Sequence, residues 1–453
     1  MKSGYIGKNE FFQQAAALPP AGSRVLVGLS GGMDSVVLLH LLQQLSPRYS
    51  WKISALHVNH GISRNADAWT EFCTALCARS AIPLQVECVD ITPLREHGIE
   101  AAARKLRYLA FSRQPCDFVA LAHHADDQAE TLLLQLLRGA GVRGASAMPA
   151  LSPLLGGLEG SPGLVRPLLN FSRQHIHEYA VMHHLQWIED ESNADDNYPR
   201  NFLRHRILPL LEQKFPACRE TLARSAQHFA EASHLLDELA QQDAAQAVQA
   251  DTLAVPALQS LEPPRARNLL RYFLHRLGAP MPQTAQLDDM LRQLRCARRD
   301  AAVCVEYGGW QVRRYQGRVY AMRALGSFDH NLLLTWSGEP GMDWPALNGR
   351  LKFESTISAG ISLAKLRQAP VTLRLRSGKE TLRPFPNGPA RTLKNLFQEH
   401  GVPPWQRDRL PLLYCGDDLV CVPGVAIAAA YLAIPEEEGI RLRLAGQRLV
   451  VAS

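Results

Sequence analysis

Residues 25–42, VLVGLSGGMDSVVLLHLL, join two apolar runs through a short turn of small residues. The first run, residues 24–29, is typical of a buried strand, and the second, residues 35–44, is typical of a helix. A strand that passes directly into a helix is the repeating unit of parallel sheets, and ligands collect where such strands end. This stretch therefore predicts an α/β protein with a ligand at the turn.

The pattern continues beyond the turn. Further strands are predicted at residues 52–60, 84–90 and 117–124, and helices at 68–80 and 99–113 lie between them. Nearly continuous apolar strands that alternate with helices predict a parallel sheet covered on both faces. The Gly- and Pro-rich residues 151–163 are predicted to form an inserted loop.

The rest of the chain changes character twice. Residues after 201 have mostly helical patterns, followed by a short β-rich segment that ends near residue 324, and β patterns return around a basic, Pro-rich segment after residue 365. At 453 residues the chain is long enough for two or three cores. We therefore divide it into domains at residues 1–215, 216–330 and 331–453.

Composition excludes several classes of protein. The nine cysteines contain no CxxC pair, which argues against a zinc site, an iron–sulfur cluster and a disulfide framework. No apolar run reaches the length of a membrane span, and the first residues are too polar for a secretory leader. We expect a cytoplasmic protein that does not bind membranes. The net charge of +6 permits a nucleic-acid partner but does not require one.

The turn itself has the residue types of a phosphate site. Its sequence is Ser-Gly-Gly-Met-Asp-Ser, residues 30–35. Glycines let a ligand approach the backbone, and free N–H groups at a helix start favour an anion. Asp34 would repel a phosphate unless a cation lay between them, which predicts Mg²⁺ bound through Asp34. The alternative is that Asp34 only caps the helix. No Gly-Lys-Ser/Thr follows, so the turn is not a Walker A loop.

Several motifs carry a family resemblance. The turn resembles the PP-loop of the N-type ATP pyrophosphatases. Four further stretches are similar in order and spacing to the tRNA(Ile)-lysidine synthetase family: HVNHGI (57–62), IEAAARKLRYLAF (99–111), LAHHADDQAETLLLQLLRGAG (121–141) and EDESNADDNYPRNFLRHRILPLL (189–211). The distal residues 373–424 also resemble that family, so the similarity covers most of the chain.

The resemblance implies a fold and an activity. The fold is α/β, with a parallel-sheet PP-loop ATPase domain, a helical middle domain with a β appendix and a small mixed α/β C-terminal domain. The activity is the ATP-dependent ligation of free L-lysine to C2 of the wobble cytidine in an isoleucine tRNA with a CAU anticodon. It passes through an adenylated cytidine and releases AMP and pyrophosphate. ATP, Mg²⁺, free L-lysine and the tRNA are the implied ligands; a homodimer stays open.

The resemblance also implies roles for individual residues. Catalytic roles fall to Asp34, Arg104, Asp127 and Arg204. ATP binding falls to Ser30, Gly31, Gly32, Met33, Asp34, Ser35 and His57, with Asp34 as the metal ligand. Substrate or cation binding falls to His60, Glu100, Arg107, His123, Asp126, Glu130, Asp190 and Arg200.

The residue types leave alternatives for the acidic cluster. Asp126, Asp127 and Glu130 suit either Mg²⁺ or the ammonium group of lysine, and one of them would take a proton from the attacking amine. They would also favour a helix N-terminus through the helix dipole alone. Arg104 could simply pair with Glu100 one helical turn away.

The histidines and the distal basic residues have alternatives as well. His57 and His60 could be buried structural histidines. The arginines of residues 374–409, with Phe385, Phe397 and Trp405 nearby, suit tRNA phosphates and bases or an ordinary solvated face.

Three rival functions are less well supported by the sequence. A tRNA thiolase of the same superfamily would be expected to carry cysteine pairs. An amidotransferase-type ligase would need an N-terminal Cys nucleophile. A non-catalytic tRNA-binding protein would not need the intact turn and the acidic cluster.

Overall fold

The chain forms two compact units, Met1–Glu238 and Leu239–Ser453. The computed structural model describes residues 11, 13–92, 99–154, 161–189, 191, 195–298 and 301–445; for residues 99, 100 and 445 it describes the backbone alone. The domain limits predicted at residues 215 and 330 stay predictions.

The first unit is built on one six-stranded sheet in the order β3-β2-β1-β4-β6-β5. All neighbouring strands are parallel except β5, which pairs antiparallel with β6 at the edge. The strands are β1 (Arg24–Gly28), β2 (Lys52–Asn59), β3 (Leu84–Cys88), β4 (Phe118–Ala120), β5 (Leu151–Pro153) and β6 (Gly163–Val165). The predicted parallel sheet is confirmed.

Helices alternate with these strands, as the sequence pattern predicts. They are α1 (Met33–Tyr49), α2 (Ala66–Arg79), α3 (Ile99–Ser112), α4 (Ala125–Leu137), α5 (Val142–Ala145), α6 (Arg173–Met182), α7 (Pro199–Phe202), α8 (Leu208–Lys214) and α9 (Cys218–Ala247), which continues past Glu238. A single π-helical turn, Leu203–Ile207, lies between α7 and α8. The core lies between α1, α6 and the sheet, where leucine and valine side chains of α1 are almost fully buried.

The structure differs from the expectation at residues 151–165. Instead of one inserted loop, strands β5 and β6 flank residues 155–160, which lie outside the described part. Three-residue strands give too short an apolar run for a periodicity argument, and Gly163 next to Phe118 shows why a glycine occurs within one of them. A Cβ there would stand 2.6 Å from the Phe118 ring.

The second unit begins with helices and an antiparallel sheet in the order β7-β8-β11-β10-β9. Its elements are β7 (Val248–Gln249), β8 (Thr252–Ala254), α10 (Val255–Ser260), α11 (Pro263–Arg276), α12 (Thr284–Cys296), β9 (Cys304–Tyr307), β10 (Trp310–Tyr315) and β11 (Arg318–Arg323). The helices bury one apolar face against the sheet around Phe273 and Met290.

Two further sheets, ordered β12-β16-β19-β20-β21 and β13-β14-β22-β15, enclose the distal core. The elements are β12 (Leu333–Trp336), β13 (Gly341–Trp344), β14 (Gly349–Ile357), β15 (Ile361–Ser362), α13 (Leu363–Leu366), β16 (Val371–Arg374), β17 (Thr381–Leu382), β18 (Arg391–Thr392), α14 (Leu393–Glu399), α15 (Pro404–Arg407), β19 (Leu412–Cys415), β20 (Asp418–Val422), β21 (Ala426–Ile427) and β22 (Glu438–Ala445). Phe397 is fully buried in this core, so its predicted role on a tRNA surface is wrong.

No helix in the described part of the chain combines the length and the apolarity that a membrane crossing needs.

The burial of α1 leads to a stability prediction. Leu38 of α1 is 0% exposed and Leu137 at the end of α4 is 75% exposed. Leu38→Ala should lower the free energy of unfolding by about 2–5 kcal/mol because it leaves a cavity. Leu137→Ala, the matched control, should change it by less than about 0.5 kcal/mol. Urea unfolding followed by circular dichroism measures both, and equal losses would contradict this account of the core.

Candidate active site

The turn after β1 is held together by its own serines. Ser35 Oγ donates to the carbonyl of Gly32 (2.9 Å) and accepts from the amide of Ser30 (3.2 Å). The two serine hydroxyls lie 3.1 Å apart, and Ser30 Oγ accepts from the amide of Gly32 (3.3 Å). Gly32 precedes α1 without a capping side chain, so the first N–H groups of α1 are left for a ligand.

The two glycines of the turn meet different surroundings. Gly31 has φ +87°, and a Cβ on it would stand 2.5 Å from Cδ1 of Ile188. A Cβ on Gly32 would have only Ser30 Oγ within 4 Å among the described residues. One side of the turn is therefore packed by the protein and the other is open for a ligand.

His57 supports the turn from within the protein. Its ring is buried, and Nδ1 donates to the carbonyl of Leu29 at 2.9 Å, with Sγ of Cys73 at 3.6 Å. Burial lowers the pKa of His57, so the ring is neutral at pH 7. The structure places His57 behind the chain that enters the turn; its predicted contact with ATP stays a prediction.

Asp34 lies in the first turn of α1, directly after the loop. Its Oδ1 is buried without a hydrogen-bond partner in the described part of the chain. Burial raises the pKa of Asp34, His124 opposes this, and the nearby Asp127 adds to it. A buried carboxylate oxygen that lacks a donor is a fitting ligand for a cation.

His124, which was not among the predicted site residues, lies close to three carboxylates. His124 Nε2 lies 3.7 Å from Asp34 Oδ2 and 3.5 Å from Asp127 Oδ2. Its Nδ1 lies 3.7 Å from Asp126 Oδ2. The backbone amide of His124 also donates to Asp127 Oδ2 at 3.0 Å, which caps α4.

Asp127 and Glu130 are paired with two arginines. Arg204 donates to Glu130 Oε1 from Nε at 2.6 Å and to Asp127 Oδ1 from Nη2 at 3.1 Å. Arg200 donates to Glu130 Oε2 (2.9 Å) and to Asp127 Oδ1 (3.2 Å). Glu130 is 0% exposed, whereas the side chains of Arg200 and Arg204 are 26% and 23% exposed. These four side chains, which we call the four-charge network, form a partly buried group whose formal charges sum to zero.

Arg204 lies in the π-helical turn, and Arg200 lies four residues earlier in α7. Leu208 donates its amide to the carbonyl of Leu203, five residues back. Pro209 follows and has no amide N–H, so the regular i→i−4 ladder cannot continue through it. Residues four apart on a helix are neighbours, and both arginines bind the same two carboxylates.

The network also shapes the acidity of its members. Burial alone would raise the pKa of Asp127, but His124 and Arg200 outweigh it and hold the pKa well below its usual range. Asp127 is therefore ionised at neutral pH and a poor acceptor of a proton.

Asp126 faces different partners. Its Oδ2 accepts from the backbone amide of Arg173 at 2.8 Å, and its Oδ1 lies 3.3 Å from Nη1 of Arg219. The acidic cluster predicted as one cation site is thus divided, because each carboxylate already has a cationic or amide partner.

Arg104 stacks on Tyr108 of the same helix, α3. Its guanidinium lies 4.9 Å from the ring centre, and Nη2 donates to the Tyr108 hydroxyl at 3.0 Å. Glu100, the other predicted partner, has a side chain outside the described residues, as does the whole of Asp190. Arg166, which follows β6, is buried, donates to the carbonyl of Pro149 at 2.7 Å and leaves Nε without a hydrogen-bond partner in the described part.

Two neutral histidines lie among these arginines. Burial lowers the pKa of His60 to about 4, and the charge of Arg107 adds to this. Burial lowers the pKa of His123 to about 3 against the opposite effect of Asp127, with Arg166 adding to the lowering. Both rings are neutral at pH 7.

The structure brings most of the predicted site together. Asp34, Asp127, Glu130, Arg200 and Arg204 gather at the ends of β1 and β4. Three or more His, Cys, Asp or Glu side chains arranged for a metal ion do not occur within the described residues. A cation at Asp34 would therefore need oxygen ligands from its substrate or from water.

The comparisons with known proteins agree with this geometry. A PP-loop domain family model matches residues 8–211, a TilS substrate binding domain model matches residues 253–320, and a TilS substrate C-terminal domain model matches residues 371–444. The tRNA(Ile)-lysidine synthase of Nitrosomonas europaea is 45% identical over 92% of this chain and 91% of its own. Those of Coxiella burnetii and Salmonella typhimurium are each 39% identical over 92% of this chain, and over 92% and 96% of their own.

The chain belongs to the tRNA(Ile)-lysidine synthase family. The resemblance inferred from the motifs is confirmed, and so are the α/β fold class and the assignment to the ATP-using PP-loop enzymes. Membership in the tRNA(Ile)-lysidine synthase family favours the ligase over the thiolase, the amidotransferase-type ligase and the non-catalytic binder.

The neutral histidines lead to a pH prediction. Between pH 6.5 and about 4 the unfolded chain binds a proton at residue 60 that the folded chain excludes, and the same holds for residue 123 down to about pH 3. The free energy of unfolding should therefore fall as the pH falls through this window, by at most about 1.4 kcal/mol per pH unit from each histidine.

Urea unfolding between pH 7 and pH 4.5 checks this. His60→Asn and His123→Asn should each flatten the slope, whereas His228→Asn, at a side chain that is 70% exposed, should leave it unchanged. A slope that stays steep in both variants would contradict the assignment to these rings.

Proposed function

We propose that this chain converts the wobble cytidine of an isoleucine tRNA with a CAU anticodon to lysidine in the cytoplasm, using ATP and free L-lysine. The observation that carries this proposal is the four-charge network beside the phosphate-binding turn. The turn suits the triphosphate of ATP, and the four-charge network suits an amino acid. His124 lies between Asp34 of the turn and Asp127 of the network.

ATP is proposed to bind with its phosphates over the open side of the turn, at Gly32 and the first amides of α1. Asp34 Oδ1 has no hydrogen-bond partner among the described residues, which supports Mg²⁺ as the companion ion of ATP. When bound, Mg²⁺ would offset the charge of the phosphates and polarise the reacting phosphorus centre. Arg104 and Arg107 of α3 are proposed to lie near the tRNA nucleotide, and His60 and His123 to border it as neutral groups.

Free lysine carries both a carboxylate and an ammonium group on its Cα. The guanidinium groups of Arg200 and Arg204 are partly exposed and suit the carboxylate, while the buried Glu130 keeps them in place. We place the α-carbon end of lysine at the four-charge network, so that its ε-amine extends toward the turn. Asp127, with its lowered pKa, then holds the network rather than serving as the base.

The reaction would proceed in two displacements. The cytidine O2 attacks the α-phosphate of ATP, and pyrophosphate leaves. The neutral ε-amine then attacks C2, AMP leaves with the C–O bond electrons, and the amine nitrogen gives its proton to water. Holding ATP, lysine and an extruded base in one pocket supplies the proximity that the second displacement needs.

The second unit is proposed to bind the body of the tRNA. Phe385 is 65% exposed and borders a groove of about 850 Å³ that Arg391, Arg441 and Arg443 also line. An exposed aromatic ring among arginines suits stacked bases and phosphates. Trp405 is instead held between Tyr315, Tyr320 and Arg313, so we assign it a structural role.

The function is tested by incubating the chain with ATP, Mg²⁺, radiolabelled lysine and the tRNA. We expect label at the wobble nucleoside that resists mild base, with one AMP released for each lysine bound. Asp34→Asn should reduce the rate by more than about a hundredfold because it removes the charge that holds the cation. Asp329→Asn, at an exposed acid in the second unit, should be unaffected. Release of AMP without label would contradict lysine as the nucleophile.

The lysine subsite has its own test. Arg204→Gln should raise KM for lysine more than about tenfold, since a charged hydrogen bond is lost, and change KM for ATP less than about threefold. Arg206→Gln is the control, because Arg206 lies in the same π-helical turn but is 70% exposed and pairs with Asp196. Equal effects on lysine and ATP would argue that Arg204 only stabilises the fold.

A further inference from the structure

Ile188 contacts the packed side of the phosphate-binding turn through both its backbone and its side chain. Its amide donates to the carbonyl of Gly31 at 3.0 Å. Its Cδ1 fills the space that a Cβ on Gly31 would need. Neither contact belongs to the roles derived above.

The hydrogen bond to Ile188 fixes the orientation of the Gly31–Gly32 peptide. In a planar trans peptide the C=O and the N–H point in opposite directions. Because the C=O points to Ile188, the N–H of Gly32 points to the other side, where Ser30 Oγ accepts it. That other side is the one a Cβ on Gly32 would find open.

A glycine pair is the place where this peptide could turn over. Gly31 at φ +87° has no Cβ to restrict it, so both orientations of the peptide are sterically accessible to it. The reversed peptide would aim a carbonyl oxygen at the ligand side and repel a phosphate. Within the turn, the hydrogen bond of 3.3 Å from the Gly32 N–H to Ser30 Oγ favours the present orientation, and a contact from outside the turn would strengthen that preference before ATP arrives.

We propose that Ile188 is a positioning residue that locks the Gly31–Gly32 peptide with its N–H toward the phosphates of ATP. Any residue other than proline could donate the amide hydrogen bond to the carbonyl, so the lock depends on the side chain, which closes the space through which the peptide would rotate. Trp187 anchors this contact, since its ring packs on His177 of α6 and on the core. The inference deepens the proposed function and rests on its placement of ATP at the turn.

Binding of ATP with Mg²⁺ to the full chain, without tRNA or lysine, tests the inference by calorimetry. Ile188→Ala should weaken ATP binding on the order of tenfold, as expected if the reversed peptide comes to hold about nine-tenths of the population. Ile188→Val, which lacks Cδ1, should weaken it less, and it carries the test if the alanine variant does not fold. KM for lysine should not change in either variant.

Ile82→Ala is the matched control. Ile82 is buried in the same core but precedes β3, at the edge of the sheet opposite the turn. It should lower stability and leave ATP affinity within about twofold, since it removes core packing only. Amide hydrogen exchange of residues 29–35 in the ligand-free chain should be faster in Ile188→Ala and unchanged in Ile82→Ala.

The outcomes separate the two proposals. If the wild-type chain does not bind ATP, the placement of ATP at the turn fails. If the wild-type chain binds ATP and folded Ile188→Ala binds it equally well, with unchanged exchange at residues 29–35, the positioning role fails alone. An equal loss of affinity in Ile82→Ala would also overturn it, because the effect would then be one of general stability.

Discussion

The buried pairing of Asp127 and Glu130 with Arg200 and Arg204 is the constraint on which the site depends. Glu130 has no exposed surface, and an unpaired carboxylate there would cost several kcal/mol. The arginines must therefore lie beside it, and they come from consecutive parts of the chain, α7 and the π-helical turn before Pro209. The same pairing keeps a charged site ready beside the turn without a net charge that would repel either end of a zwitterion.

The sheet order explains why these parts meet. β1 and β4 are neighbours, so the turn that follows β1 and the helix that follows β4 emerge side by side at the same edge. Asp34 lies at the end of the turn after β1, and Asp127 lies in α4, the helix after β4. His124, immediately before α4, lies close to both carboxylates. Parallel pairing thus converts two distant stretches of sequence into one pocket. Strand β6 pairs with β4 on one side and with the antiparallel edge strand β5 on the other, so Arg166, which follows β6, lies next to the end of β4.

Sequence patterns predicted the central strands and helices of the first unit because each lies in a stretch long enough to show its apolar pattern. Strand β6 was missed because it begins within the Gly- and Pro-rich residues 151–163, which predict a loop, and Arg166 was missed with it. The pairing of the acidic cluster with Arg200 and Arg204 was not predicted, because those arginines are some seventy residues away and their partners depend on packing. The prediction for Phe397 was wrong for a related reason. An aromatic residue with basic neighbours in the sequence can lie in a core as readily as on a tRNA-binding surface.

The two glycines of the turn illustrate what a motif can and cannot convey. In the sequence Gly31 and Gly32 are equivalent, and the usual argument assigns both to the close approach of a ligand. In the structure Gly31 is small because Ile188 occupies its side, whereas Gly32 faces the space where a ligand would lie. Half of a phosphate-binding motif can therefore be a packing requirement of the protein itself. Gly31, which packs on Ile188, then controls the orientation of the N–H of Gly32, since the two residues share a single planar peptide.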